Sequence, residues 1–431
     1  MTMNKRTIHV PVLARVEGEG ALELRIRDDR IDTLQLRIFE SPRLFEKLLE
    51  GRSYTDVPDI VARICGICPV AYQMSAVHAI ESVFGIDPGP WVRAMRRLLY
   101  CGEWIESHAL HIHLLALPDF LGADSVISLA ERYPEEVRRG LHLQGLGNRL
   151  LRLLGGRSVH PVSVCSGGFS HAPAAADIAS LRDEFLHALP QAEALLAWTA
   201  SLALPDAQQD FTSVALRHAE EYPMNEGRLV SSAGLDIAID AYREHFSEFQ
   251  VPHSTALHST LEDQPYLVGP LARLNLNRDR LPADLQQRLA DTGIPFPSRN
   301  MFHSLVARAV EIVYAFTEAI RIMESYTVPD ASRTEVTPRA GIGYGCTEAP
   351  RGILWHRYQL DDAGQVQAAT IVPPTAQNQA RIEQDLRTDL TQFGLHHSDD
   401  ELRARGETII RNYDPCISCA THFLNIRVDR T

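Results

Sequence analysis

The sequence lacks any apolar run close to the roughly 20 residues that a membrane-crossing helix requires, so no membrane span is expected. No apolar h-region follows Lys5 and Arg6 in "MTMNKRTIHVPVLARVEG", so this stretch does not read as a signal peptide. Positive charge is also short. Lys and Arg number 42 against 55 Asp and Glu, a net charge of −13, which argues against nucleic acid as a partner. No GxGxxG fingerprint follows a strand pattern, so no dinucleotide site is expected on this chain. Repeats and low-complexity tracts are absent. Cysteine is scarce: seven residues, an odd number spread over 431 positions, argue for reduced metal-binding or catalytic thiols rather than a disulfide framework. What is present is ordinary globular composition, 45% apolar and 23% charged, in a chain long enough for one large domain or two to three smaller ones.

Periodicity supplies the coarse architecture. "ALELRIRDDRIDTLQLRIF" alternates apolar and polar residues around "DDR" and predicts a β-hairpin over about 21–39. "SPRLFEKLLEGR" predicts a short helix with Ser41 as N-cap and Gly51 as its stop. Helices are expected from Val70 to Gly85, onward from Trp91, around 134–154 and 175–202, and across "SRNMFHSLVARAVEIVYAFTEAIRIMESY". A second hairpin is expected at "APRGILWHRYQLDDAGQVQAATIVPP", turning at "DDAG". Proline and glycine mark 155–173 and 264–297 as loops. The fold class expected is mainly α, a bundle of long helices with small β-hairpin regions near both termini.

Two Cys-x-x-Cys pairs stand at opposite ends of the chain, Cys65/Cys68 in "RICGICPVAY" and Cys416/Cys419 in "DPCISCATH". Each turn brings two sulfurs within reach of one metal, and four thiolates select zinc, an iron–sulfur cluster or a nickel-type centre over magnesium or calcium. Structural zinc pairs commonly lie about 12–20 residues apart, because the metal staples a small local fold. Pairs separated by almost the whole chain argue instead for a buried reactive metal.

These two motifs resemble the paired signatures of the nickel–iron hydrogenase large subunit. "ARVEGEG", "PRLFEKLLEGR", "YLVGPLARLNLN" and "TEAPRG" are similar to further stretches of that family, so the resemblance runs nearly the full length. Within it, "RVEGEG", "FESPRLFE" and "CPVAYQM" look closest to the cytoplasmic bidirectional NAD(P)-linked enzymes, the sulfhydrogenase type. The resemblance implies one domain over residues 1–431 and reversible heterolytic cleavage of H2 at a Ni-Fe centre whose iron carries CO and CN ligands. It makes Cys65 and Cys416 terminal nickel ligands, with Cys68 and Cys419 bridging to iron.

The same resemblance assigns other roles. Glu17 becomes the proton relay, since transfer needs a carboxyl within hydrogen-bond reach of a thiolate. Arg351 becomes the guanidinium over the open face of the metals, Pro350 a wall against the diatomic ligands, and Asp414 and Asp119 the carboxylates that hold Arg351. Glu46 and His422 become ligands of a second metal, Mg or Fe. Tyr72 stands where many periplasmic members have a histidine beside the bridging sulfur. Of His108, His111 and His113, only the first two share a helical face at i, i+3, and core packing or a proton network is the reading favoured over metal binding. His160 reads as structural.

Cys101, Cys165 and Cys346 are too few for a cluster of their own. The resemblance therefore implies an iron–sulfur small subunit as partner, with flavin/NAD(P)-binding subunits beyond it. It also implies a C-terminal maturation protease that removes residues 423–431. Two other readings stay open: an H2-sensing regulatory subunit on the same site, and a structural zinc protein held by the four cysteines.

Overall fold

The computed structural model describes residues 5–421 except residue 124. The first hairpin forms as Gly20–Arg27 and Arg30–Ile38, turning through Asp28 and Asp29 at φ 49° and 56°, the left-handed region that short acidic side chains tolerate. Lys5–Val10 adds a third antiparallel strand that the sequence reading missed. The helix expected after Ser41 begins later, at Phe45, and runs only to Leu49. Its N-cap is Leu44, in the left-handed region with no side-chain cap, so Ser41 does not cap it.

The site rests on Pro69–Phe84 and Gly89–Leu110. The first helix is buried on nearly every side. The strand Gly341–Ala349 lies flat along it because Gly343 and Gly345 have no side chain. A Cβ at Gly343 would collide with the carbonyl of Ala79, and one at Gly345 with that of Ser75. The second helix packs on Pro134–Gly155 at a similar close approach. There a Cβ on Gly147 would stand 2.7 Å from both Glu106 N and Gly102 O. Gly89–Leu110 continues through a π-helical turn, His111–Ala116, into Leu117–Phe120.

Ser304–Glu324 is buried almost all round rather than striped, so the charges it carries must be paired inside. Glu311 accepts from Arg273 at 2.7 and 2.8 Å and from the Tyr222 hydroxyl at 2.8 Å, with His108 Nε2 2.9 Å away. The second expected hairpin forms as Gly352–Leu360 and Val366–Val372, joined by Gly341–Ala349 into three strands.

Two further parts of the sequence reading need correction. The stretch 264–297 is not loop: it holds the helices Pro270–Asn277 and Ala283–Asp291. Pro270 starts the first of these at N1, where proline fits without losing a hydrogen bond. Nor is β structure confined to the two ends. A four-stranded sheet and a two-stranded one occupy 212–267 mid-chain. One apolar cluster runs from Ile8 to Ala420 and takes in all four motif cysteines. A smaller one gathers on Trp355, Tyr242 and Tyr266.

Candidate metal centre

The two cysteine pairs meet. The sulfurs of Cys65, Cys68, Cys416 and Cys419 lie within 4.8 Å of one another, and all four residues are buried. Cys65 Sγ is 3.4 Å from Cys416 Sγ, and Cys416 Sγ is 2.7 Å from Cys419 Sγ.

Cys65 closes the short turn Ala62–Ile64, and its sulfur accepts the N–H groups of Ile67 and Cys68, each at 3.3 Å. Cys68 is the N-cap of Pro69–Phe84. Two N–H groups in the first turn of that helix, from Val70 and Ala71, go to the Glu103 carboxyl at 2.6 and 3.1 Å. Burial, aided by the nearby Cys65, still pushes Glu103 well above the usual carboxylate range.

The second pair sits on the four-residue helix Ile417–Ala420, with Cys416 as its N-cap. Asp414 precedes it at φ 56°. Cys416 N–H donates to Thr375 Oγ1 at 2.9 Å, and Ile417 N–H to the Glu17 carbonyl at 3.0 Å. Glu17 Oε2 accepts from the Cys416 thiol at 3.1 Å and from Ser418 N–H at 3.0 Å. Ser418 Oγ then donates to Glu40 at 3.0 Å. Arg43 spans both halves, giving one Nη2 to the carbonyls of Ile64, at 2.7 Å, and of Ser418.

Arg351 donates through Nε to the Asp414 carbonyl and through Nη2 to its carboxylate, both at 2.9 Å. Burial works against its charge, but Asp414 and the cysteines Cys416, Cys68 and Cys65 outweigh it and hold the guanidinium protonated. Asp414 also faces Arg308 at 3.2 Å. Burial would raise its carboxyl, yet Arg351, His111 and Arg308 keep it below the ordinary value. Pro350 is buried beside Arg351, and its carbonyl accepts from Arg273 at 3.3 Å.

Asp119 does not reach Arg351 by any hydrogen bond. It is paired with Arg411, at 2.7 and 2.9 Å, and with Arg15. Glu46 accepts the Ile371 N–H at 2.7 Å, while His422 lies outside the described residues. The buried Tyr72 hydroxyl makes no hydrogen bond among the described residues, so none to Cys68.

The three helix histidines bind separate partners. His108 faces Glu311, His111 the Arg411 carbonyl at 2.8 Å, and His113 the Ala109 carbonyl at 2.9 Å. Burial lowers them to about 4, 3 and 4, so all three stay neutral near pH 7. His160 Nδ1 lies 2.6 Å from the Ala62 carbonyl, a backbone tie in a turn.

The donor set suits a soft, cationic centre. Four thiols this close cannot all ionise alone. Hydrogen bonds from Cys416, Cys419 and Cys68 pull Cys65 well below its ordinary range, while burial and the neighbouring sulfurs push Cys416 well above it. A bound cation would let all four act as thiolates. Among the described residues the buried Arg351 Nη1 has no hydrogen-bond partner, a donor left for a ligand to satisfy.

The sequence profile described as nickel-dependent hydrogenase matches residues 43–139 and 258–422, segments that contain both cysteine pairs. The chain belongs to the nickel-dependent hydrogenase family. This hydrogenase is 33% identical over 431 residues to sulfhydrogenase 1 subunit alpha of Pyrococcus furiosus, covering 98% of this chain and 100% of the relative. It is 28% identical over 488 residues to NAD-reducing hydrogenase HoxS subunit beta of Cupriavidus necator, covering 98% and 96%. Among solved structures, an NAD+-reducing [NiFe]-hydrogenase in the H2-reduced state superposes with a TM-score of 0.88 at 26% identity, over 97% of this chain and 99% of that one. The [NiFeSe] hydrogenase of Desulfovibrio vulgaris Hildenborough shares the fold, with a TM-score of 0.80 at 21% identity over 98% and 100%. The hydrogenase is thus an oxidoreductase whose two cysteine pairs are placed for a metal centre. None of its described helices is long and apolar enough to cross a membrane.

Sequence reasoning missed Arg43, Glu103, Arg273, Arg308 and Thr375 around this centre. Only Arg43 and Arg273 lay inside stretches that carried the family resemblance; a lone Glu, Arg or Thr in a helix pattern otherwise reads as solvent-facing.

Proposed function

We propose that the chain is the catalytic large subunit of a cytoplasmic nickel–iron hydrogenase, running H2 ⇌ 2H⁺ + 2e⁻ and passing electrons through an iron–sulfur small subunit to NAD(P). The observation that carries this reading is the buried sulfur quartet with a carboxylate oxygen 3.1 Å from one of its members. Cys65, Cys68, Cys416 and Cys419 would hold the centre, the first of each pair on nickel and the second shared with iron. When bound, a nickel–iron centre with CO and CN ligands supplies the site at which dihydrogen is polarised and its electrons are accepted.

The protein's own part is to place charge and move a proton. Glu17 takes the proton from Cys416 Sγ, and the Ser418 N–H holds its carboxylate in place. Arg351, fixed by two bonds to Asp414, would offer its remaining donor to a ligand of the centre and hold positive charge beside it. Asp119 acts at a distance by holding Arg411, whose carbonyl anchors His111.

The electron partners rest on the relatives' names and on the shortage of further clustered cysteines here. The single-domain reading of 1–431 is supported by the shared core from Ile8 to Ala420. The second metal, Mg or Fe at Glu46 and His422, rests on the resemblance alone. So does removal of 423–431 by a maturation protease; an intact Thr431 in active enzyme, read by mass spectrometry, would refute the cleavage.

The purified, matured protein is expected to contain nickel and iron, and to show infrared bands of iron-bound carbonyl and cyanide. Zinc alone, without those bands, overturns the reading in favour of a structural zinc site on the four cysteines.

A further inference from the structure

A second cluster of metal-type ligands lies apart from the cysteine centre. His253 stands in the connection between the antiparallel strands Phe246–Gln250 and Leu257–Leu261, His258 on the second of these, and Glu383 on the helix Pro374–Phe393. One ligand atom from each lies within 4.8 Å of the other two. His253 Nε2 is 2.8 Å from Glu383 Oε1, and His258 Nε2 is 3.5 Å from Glu383 Oε2. The two rings meet edge to face at 5.9 Å. Glu383 is oriented from behind by the Leu36 N–H, at 2.9 Å, as carboxylate ligands commonly are.

His258 is the telling residue. It is 2% exposed, and among the described residues its ring nitrogens have no hydrogen-bond partner closer than the 3.5 Å contact with Glu383. A buried imidazole that lacks a close hydrogen bond is unfavourable, and here Nε2 faces a carboxylate at 3.5 Å. A cation between Nε2 and Glu383 Oε2 would satisfy it.

We propose that His253, His258 and Glu383 form a site for a divalent transition metal of the imidazole-preferring class, zinc foremost. Two imidazole nitrogens and one carboxylate oxygen suit Zn²⁺, whereas Mg²⁺ and Ca²⁺ require six or more oxygens. His253 borders a surface cavity of about 510 Å³ with Arg37 and Pro252, so its side of the site opens toward water. The ion ties together three elements: the mid-chain hairpin, the helix of Glu383, and, through Leu36, the strand Arg30–Ile38. It acts as a clasp with one exchangeable ligand.

The test uses the purified, metal-loaded hydrogenase, whose cysteines are already occupied, after washing with a chelator. Titration with Zn²⁺ against a chromophoric indicator should show one additional equivalent per chain. Co²⁺ in the same site should give d–d bands of nitrogen and oxygen ligands without thiolate charge transfer. His258→Ala and Glu383→Gln should weaken the binding more than about 100-fold. His253→Gln, at a half-buried loop position, should weaken it too while H2 turnover stays unchanged, which keeps the test decisive if His258→Ala fails to fold. No additional equivalent, undiminished binding in these variants, or a thiolate band from Co²⁺ would overturn the proposal.

Discussion

The two cysteine pairs are alike in sequence and unlike in support. Cys65 and Cys68 lie at the head of a sixteen-residue helix with a strand packed against its backbone, so the apolar core fixes them. Cys416 and Cys419 ride on four residues of helix, too short to be stable alone. Polar contacts hold that helix in place: Glu17, Thr375, Ser418 with Glu40, and the strap of Arg43. Half of the centre is therefore preformed, and half is docked onto it. Local opening should differ accordingly, low for the first half and high for the second.

The strongest way to break this comparison is to remove a ligand from the docked half. Cys419→Ala should abolish metal loading and all H2 turnover; nickel and iron retained at wild-type levels would refute its place in the centre. Next, Glu17→Gln should keep both metals but slow H2/D⁺ exchange by about 10²–10⁴-fold, the usual worth of a positioned proton-transfer group. Full exchange in this variant would remove Glu17 from the relay. Arg43→Gln asks whether the strap matters. Losing charged hydrogen bonds of about 1.5–3 kcal/mol should speed amide hydrogen exchange at 416–421 and leave 69–84 unchanged. Equal acceleration in both segments would erase the distinction between the two halves.

The smallest effect is a pH slope. His111 is lowered to about 3 by burial and by the nearby Arg308, with Asp414 opposing. An unfolded histidine titrates near 6.5. Between these values the unfolded chain binds a proton that the folded chain refuses. This group's contribution is therefore complete above pH 6.5 and is lost as pH falls, by about 1.4 kcal/mol per unit. His111→Gln keeps an N–H for the Arg411 carbonyl and removes the titration. Denaturant unfolding followed from pH 6.5 to 4.5 should show a flatter acid limb in the variant. An identical slope would mean that His111 is already protonated in the folded protein.

Legibility in the sequence tracked how local the cause was. The helix at 89–110 announces itself through periodicity, those at 69–84 and 304–324 through long apolar runs, and the cysteines through a three-residue spacing that has few other uses. The helix at Pro270 was hidden because its proline opens the element instead of ending it. Strands of two to six residues between 212 and 267 are too short for alternation to stand out. Glu311, Arg273 and Glu103 could not be read as buried, since each is neutralised or hydrogen-bonded by residues distant in sequence. Asp119 shows the limit of motif matching. Its partners, Arg411 and Arg15, were settled by the fold and not by the motif. His253, His258 and Glu383 escaped notice for the same reason: the glutamate comes 130 residues after the first histidine.

The bridge between Glu17 and Cys416 joins residues separated by nearly the whole chain, and the sulfurs of Cys65 and Cys416 are 351 residues apart. At synthesis rates of roughly 5–20 residues per second, the second pair leaves the ribosome about 20–70 s after the first. For all of that interval the first two thiols exist without the other two. The complete donor set thus works as a clock: no four-thiolate grip on a metal can form until Cys419 has been made.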